Sequence, residues 1–446
     1  MHKDMLADFL LKGTSLLKEE DPELERLLVQ EHQRQLNTLT LVAASSIAHP
    51  SIFACLGSSI GNLTTEGYPA RRFHGGCEVA DEIERLAIER AKVAFGACYA
   101  NVQPHSGTSA NQIVIGSLLK PGERIMGLGL NSGGHLSHGS RASLTGQWFD
   151  VVEYHVNEES LLDYDEVWRL ACQTRPKLIV AGASAYPRSI DFARFRAIAD
   201  EVGAYLLADV SHIAGLVVAG EHQSPINEAH FTTTSTYKQL YGPRGGLILM
   251  GRDSEQLSSD GRSTLAERLQ KATFPFFQGT PSLNVIAAKA RALEMVVSPK
   301  FKLLTYHVVE NARALAGELQ ARGYDVLTGG TDNHMVILNI ASNGLTGIIA
   351  ERALEECGIV VNKNRIPGDT RSALITSGLR LGTNSVAMRG MGVKEMRMCA
   401  ELVDRVLSSI SVRNERQYIL PEDVKLEVRE KVEELCSSFA IPGYEE

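Results

Sequence analysis

Lys238 closes the run Thr232-Thr-Thr-Ser-Thr-Tyr-Lys238 and is followed by Gln-Leu-Tyr-Gly-Pro-Arg-Gly-Gly246. Upstream, the apolar segment Ala204-Tyr-Leu-Leu-Ala208 runs into Asp209, with His212 close behind. An amine after one strand-like run and a carboxylate at the end of another suit pyridoxal 5'-phosphate (PLP). The lysine forms a Schiff base, a buried carboxylate keeps the pyridine nitrogen protonated, and the ring draws electrons from the substrate. A lone lysine beside a tight turn reads more simply as a surface residue. The two strand ends together favour the chemical reading, because ligands of open α/β sheets gather at the carboxyl ends of strands.

Other segments carry groups such a site needs. In Asn101-Val-Gln-Pro-His-Ser-Gly-Thr108, residues Ser106, Gly107 and Thr108 precede a helical run. A helix N-terminus offers free N–H groups and a positive dipole end to a phosphate. The plain alternative is an ordinary capped helix start. Gly133-Gly-His-Leu-Ser-His-Gly139 holds two histidines three apart, but flanking glycines indicate a loop and no carboxylate lies nearby in sequence. A ring stacked on a planar cofactor is expected there rather than a metal. Glu66, before a turn-rich stretch, is a candidate acid/base. Arg380, in Ser377-Gly-Leu-Arg380, is placed either to clamp a carboxylate or to bridge two domains.

The elements that must position these groups follow from hydrophobic period. Residues 1–45 read as helical. From about 85 to 290, helices (82–95, 192–202) alternate with short apolar strands (125–128, 178–181, 204–208, 246–250), which implies a mostly parallel, covered sheet. After about 300 a long helix (303–322) precedes strands near 335–340 and 359–362 and helices near 393–411 and 421–437. The expected organisation is an α/β protein: an N-terminal helical arm (1–45), a large domain (46–295) and a small α+β domain (296–446).

The 446 residues are 44% hydrophobic and 22% charged, with a formal net charge of −8 and a pI near 6.0. No basic field suits nucleic acid or a membrane surface, and no apolar run approaches the roughly 20 residues that span a bilayer. Seven scattered cysteines without a Cys-x-x-Cys suggest neither a disulfide framework nor a zinc ribbon, and a reducing cytoplasm is expected.

In order along the chain, Gly75-Gly-Cys-Glu78, Val102-Gln-Pro-His-Ser-Gly107, Gly133-Gly-His-Leu-Ser-His-Gly139, Ser184-Ala-Tyr186, His212-Ile-Ala-Gly-Leu216, Gly242-Pro-Arg-Gly-Gly246, Gly329-Gly-Thr-Asp-Asn-His334, Val361-Asn-Lys-Asn364 and Arg389-Gly-Met-Gly392 resemble the motifs of serine hydroxymethyltransferases, PLP enzymes of fold type I. The resemblance implies roles. Lys238 would be the Schiff-base lysine, Asp209 the partner of the pyridine nitrogen, and His135 the stacking ring. Ser184 and His212 would contact the ring's hydroxyl face. Ser106, Gly107 and Thr108 would hold the phosphate, helped by Gln278 and Gly279 from a second subunit. Arg380 would hold the substrate carboxylate, and Glu66 would act as acid/base across a homodimer or homotetramer interface. Leu130, Gly134 and Asn364 match positions near tetrahydrofolate.

The chain also departs from the pattern. The family's Ala-Ser-Glu-Asn is Ala43-Ala-Ser-Ser46, which puts Ala44 where a serine helps bind the substrate. Thr64 and His74 replace tyrosines of Tyr-Ala-Glu-Gly and Arg-Tyr-Tyr-Gly, Tyr237 replaces the histidine of Thr-His-Lys, and Thr280 replaces a glycine. These substrate-side changes lead to the expectation of a relative with altered specificity, doing aldol cleavage, transaldolation, elimination or decarboxylation on an α-amino acid, with Thr64, His74 and Ala44 shaping the pocket. The alternatives are serine–glycine interconversion with tetrahydrofolate, and a non-catalytic PLP-binding paralogue, against which Glu66, Lys238 and Arg380 argue.

Overall fold

The computed structural model describes residues 4–258 and 261–444. The first three residues of the expected arm and the last two of the chain lie outside the described residues. The main sheet has seven strands. In spatial order they are Tyr99–Asn101, Gly246–Met250, Phe231–Ser235, Tyr205–Asp209, Leu178–Gly182, Arg124–Leu128 and Asp150–Tyr154. Only Gly246–Met250 runs antiparallel to its neighbours.

Alternation along these strands explains why both faces are covered. Ile125, Leu178, Val180, Leu207, Ile248 and Met250 pack with Ile113, Val114 and Ile115 of helix Gly107–Leu118 on one side. Met126, Leu128, Ile179, Ala181, Leu206, Ala208, Leu247 and Leu249 pack on the other with Phe192 and Phe195 of helix Phe192–Val202. The period of two sends successive residues to opposite layers. A separate core forms around a four-stranded antiparallel sheet in the order Asp325–Val326, Met335–Asn339, Gly378–Gly382, Asn362–Asn364.

Several sequence expectations shift. Helices Met5–Glu20 and Pro22–Asn37 fill most of the N-terminal segment, but it is not helical to residue 45. Leu39–Thr40 is a strand paired in parallel with Ile359–Val360, and Leu39 and Leu41 join the C-terminal core. The helix expected over 82–95 begins at Glu78. Strands Tyr99–Asn101 and Asp150–Tyr154 carry too few apolar residues to show in sequence. The strand before Lys238 ends at Ser235, so the lysine sits on the loop beyond it. Arg380 lies inside a strand rather than at a turn. All seven cysteines are unbonded, and among the described residues no helix is long and apolar enough to cross a membrane.

Lys289, on helix Leu283–Val296, is 1% exposed and donates to the carbonyls of Val102 (2.7 Å), Pro104 (3.0 Å) and Gly246 (2.9 Å). Burial lowers its amine to about 7, while three carbonyl acceptors match the three hydrogens of an ammonium. It fastens the loop that leads to Ser106 against the turn that follows Lys238. Lys289→Met leaves three buried acceptors without this donor. It is expected to destabilise the cofactor-free protein by about 3 kcal/mol, measured by urea unfolding. A loss under about 1 kcal/mol would show the lysine to be a passive filler.

Candidate active site

The carboxyl ends of the parallel strands open into a recess with a cavity volume of about 70 Å³. Ser106, Gly107, Thr108, His135, Ser184, Asp209, His212 and Lys238 all line it, and so do Ser211, Ser235 and Tyr237. Eight residues nominated from five separate stretches of sequence therefore meet in one place.

Asp209 ends its strand at the floor and is saturated with donors. Its Oδ2 accepts from His138 Nε2 (2.9 Å) and Asn111 Nδ2 (2.8 Å), and its Oδ1 accepts from the Ser211 backbone N–H (3.0 Å) and Oγ (2.6 Å). Burial alone would raise this carboxyl. The His138 contact, the nearby imidazoles and Ser211 override it and hold the group far below the usual carboxylate range. Ligand atoms of His135, His138 and Asp209 lie within 4.8 Å of one another, and the His138–Asp209 pair within that cluster is directly hydrogen-bonded.

Lys238 is buried, and burial lowers its amine to about 8; Asp209 pulls it back up and Arg380 pushes it down. The Lys238 amine lies 5.9 Å from the centre of the Tyr237 ring, and Arg244 covers the same ring at 4.3 Å. His135 Nδ1 accepts from the backbone N–H of Ser137 (3.2 Å) and pairs with its hydroxyl (2.7 Å). Burial and His138 lower the His135 ring to about 4. Burial, Lys238 and Arg380 keep His212 neutral. His212 stacks on His334 with centroids 5.8 Å apart and planes 15° apart, and its Nδ1 is buried without a partner.

Ser106 caps helix Gly107–Leu118 by accepting from Ser109 N–H (3.0 Å). A Cβ on Gly107 would lie 3.3 Å from Ser211 Oγ and from Ser235, so the bare glycine keeps the cradle open beneath the helix end. Arg380 donates to Ser184 O and, at 3.2 Å, to Asn362 Oδ1. No carboxylate pairs with it among the described residues, and burial lowers it to about 10. The segment with Ala44 abuts the site: Ala43 O accepts from His334 Nε2 (3.1 Å), and Ser46 Oγ donates to Tyr237 O (2.6 Å). Arg365 Nη1 donates to Asn131 Oδ1 (2.5 Å), joining the turn that holds Leu130 and Gly134 to the strand that ends at Asn364.

This constellation fits PLP. It has a depressed amine, a permanent anion opposite it, an open helix N-terminus and an unsatisfied buried imidazole nitrogen. A model of the family described as serine hydroxymethyltransferase matches residues 17–403. The chain belongs to the serine hydroxymethyltransferase family. It is 47% identical over 418 residues to a serine hydroxymethyltransferase of Rickettsia peacockii (strain Rustic), covering 94% of this chain and 97% of that protein. It is 48% identical over 415 residues to a probable serine hydroxymethyltransferase of Rickettsia bellii (strain RML369-C), covering 92% and 96%. A serine hydroxymethyltransferase of Rickettsia canadensis (strain McKiel) is 48% identical over 392 residues, covering 88% and 91%. The chain is accordingly a PLP-dependent transferase of fold type I.

Not every nominated residue reaches the recess. Thr64 and His74 are exposed, and Glu66 is half-buried on the approach to the hairpin Gly67–Arg72. Glu66 faces Gly279, whose Cβ would lie 3.6 Å from Glu66 Oε1. The Gln278 side chain is tied inside its own chain, accepting from His105 N–H and donating to Gln103 O (both 3.1 Å). Sequence reasoning did not single out Asn111, Ser211, Ser235 or His334, and it noticed His138 only as the second histidine of the Gly133–Gly139 loop, not as a partner of Asp209. Asn111 had a legible signal, since it lies four residues after Gly107 and therefore on the same helix face.

Lys238 is a nucleophile only when neutral, so its coupling to PLP in cofactor-free protein is expected to quicken as pH rises and to level off above about 8. Asp209→Asn removes the charge that keeps the proton on Lys238 and should move this midpoint to lower pH. The same change should cut turnover about 100-fold while the protein stays folded. Stopped-flow absorbance across pH checks the first effect. A midpoint that stays put or rises would contradict the coupling.

Proposed function

We propose that the protein interconverts serine and glycine with tetrahydrofolate as the one-carbon carrier. The observation that carries this reading is the buried Arg380 cation, which has no carboxylate partner among the described residues and donates to the carbonyl of Ser184, a residue that lines the recess. A buried guanidinium with no anion of its own selects a ligand carboxylate. Bound in this recess, PLP supplies an electron sink for charge that develops at the substrate Cα. The chain does the rest. Arg380 orients the carboxylate, Asp209 stays ionised at the floor, and the stacking His135 is kept neutral. The turn Leu130–Ser132 and strand Asn362–Asn364 offer the surface for the folate. Asp209 has its oxygens filled, so the mobile proton is assigned to Glu66.

On this reading two copies are needed. Glu66, Thr64, His74 and Gly279 sit outside the recess of their own chain, and the exposed rings of Phe73 and Phe276 flank them. We assign them to the recess of a second copy in a homodimer or homotetramer located in the cytoplasm. The chain divides on this reading into an arm (1–45), a PLP-binding domain (46–295) and a C-terminal domain (296–446). A second reading, altered amino-acid specificity, draws support from Tyr237, which lines the recess, and from the small Ala44 beside it.

Serine turnover with and without tetrahydrofolate separates the two. Folate-dependent kcat/KM of about 10⁴ M⁻¹s⁻¹ or more is expected. Poor serine turnover, together with faster cleavage of a bulkier β-hydroxy amino acid, would favour altered specificity. Shared sites predict complementation. Mixing inactive Lys238→Ala and Glu66→Ala protomers should restore about one quarter of wild-type activity, since randomly exchanged dimers are half hybrid with one intact site each. A competent monomer at working concentration would refute sharing.

A further inference from the structure

Arg72 is a buried cation outside the recess, with a side chain only 4% exposed. Its Nε bonds Asp81 Oδ1 at 2.8 Å, and its Nη2 bonds Glu84 Oε2, on a side chain 1% exposed, at 2.6 Å. The remaining nitrogen, Nη1, donates to Thr65 O (2.9 Å) and Gly67 O (3.0 Å). Those carbonyls flank Glu66, whose own carbonyl accepts from Phe73 N–H at 3.0 Å. Three successive carbonyls are thus fixed. Gln103 adds a brace by donating to Gly67 O (2.9 Å) and Glu84 Oε1 (2.8 Å). Gly67 turns at φ +99°, and a Cβ there would lie 2.3 Å from Arg71 O. The bare turn lets the chain double back so that Arg72 reaches the peptides around Glu66. The Glu66 carboxylate itself makes no hydrogen bond among the described residues.

We propose that Arg72 is a positioning residue for Glu66: its guanidinium, anchored on Asp81 and Glu84, clamps the peptides on both sides of Glu66 and leaves the carboxylate free to work. This rests on the acid/base reading of Glu66. The planar fork is what lets one side chain serve two carboxylates and two carbonyls at once, and a lysine ammonium cannot span all four. A carboxylate that must meet a reacting atom loses effectiveness steeply when its backbone shifts by about 1 Å.

The test uses PLP-loaded full-length protein carrying Arg72→Lys, Glu66→Gln or both. Arg72→Lys is expected to lower kcat for serine about 100-fold, with the serine KM and the PLP dissociation constant little changed. Hydrogen exchange at the Phe73 amide should quicken in the same variant. The double variant should be no slower than Glu66→Gln alone, because both changes remove one function. Normal kcat in Arg72→Lys, or losses that multiply in the double variant, would overturn the proposal. Full activity in Glu66→Gln would instead overturn the acid/base reading, a distinct outcome. If Arg72→Lys does not fold, Glu84→Gln loosens the same anchor from its far end. Unchanged kcat and unchanged Phe73 exchange there would also overturn the clamp.

Discussion

A carboxylate buried at the floor of an apolar sheet stays charged only if fixed donors replace the water it has lost. At Asp209 four donors do so, and supplying them sets the relative position of nearly everything in the recess. Asn111 gives one amide hydrogen to Asp209 and the other to Ser137 Oγ (2.9 Å), while its oxygen accepts from Thr233 Oγ1 (2.5 Å). Ser137 in turn fixes the His135 ring. Ser211 accepts from Ser235 N–H at 3.0 Å, three residues before Lys238. One anion therefore registers the helix with the open N-terminus, the imidazole loop and the segment that carries the lysine.

The same charge balances the cations. Lys238 and Arg380 face a common space, and each depresses the proton affinity of neighbouring groups. Without Asp209 the recess would be a buried positive pocket with nothing to offset it. Asp209 partly offsets the burial and the Arg380 charge that lower the Lys238 amine, while Arg380 has no carboxylate partner among the described residues. On the proposed reading, ligands supply the missing negative groups, a phosphate near Gly107 and a carboxylate at Arg380.

The core of the sheet was legible because its strands are buried and read as continuous apolar runs; the antiparallel strand Gly246–Met250 and the helix Phe192–Val202 were located to the residue, but the strand's direction was not. Tyr99–Asn101 and Asp150–Tyr154 were not, because edge strands with polar residues carry no such signal. The groups of the recess that carry unusual residue types at strand or helix ends were legible too. What sequence could not give is which polar side chains turn toward one another. The spacing of His135 and His138 pointed to a stacked ring rather than a metal pair, and only the fold shows one ring beside the lysine and the other bonded to Asp209. The segment near Ala44 looked helical from its neighbours, yet it leaves the arm as a strand and crosses to the C-terminal core, which brings it beside Tyr237.

The departures from the family pattern sort by location, and that sorting limits what they can do. Tyr237 and the segment around Ala44 belong to the recess of their own chain, whereas Thr64 and His74 ride on the exposed hairpin that carries Glu66. Tyr237 forms part of the recess wall beside Lys238, and Ser46 ties the segment that holds Ala44 to it. The second pair lies outside that recess, on the exposed surface next to the hairpin. Tyr237 is also constrained. Its ring lies under Arg244, so swinging the ring aside would break that contact, while Ser46 holds its backbone carbonyl in place. The floor of the recess is independent of these replacements, because Asp209 is held by His138, Asn111 and Ser211 and His135 by Ser137, contacts that none of them touches.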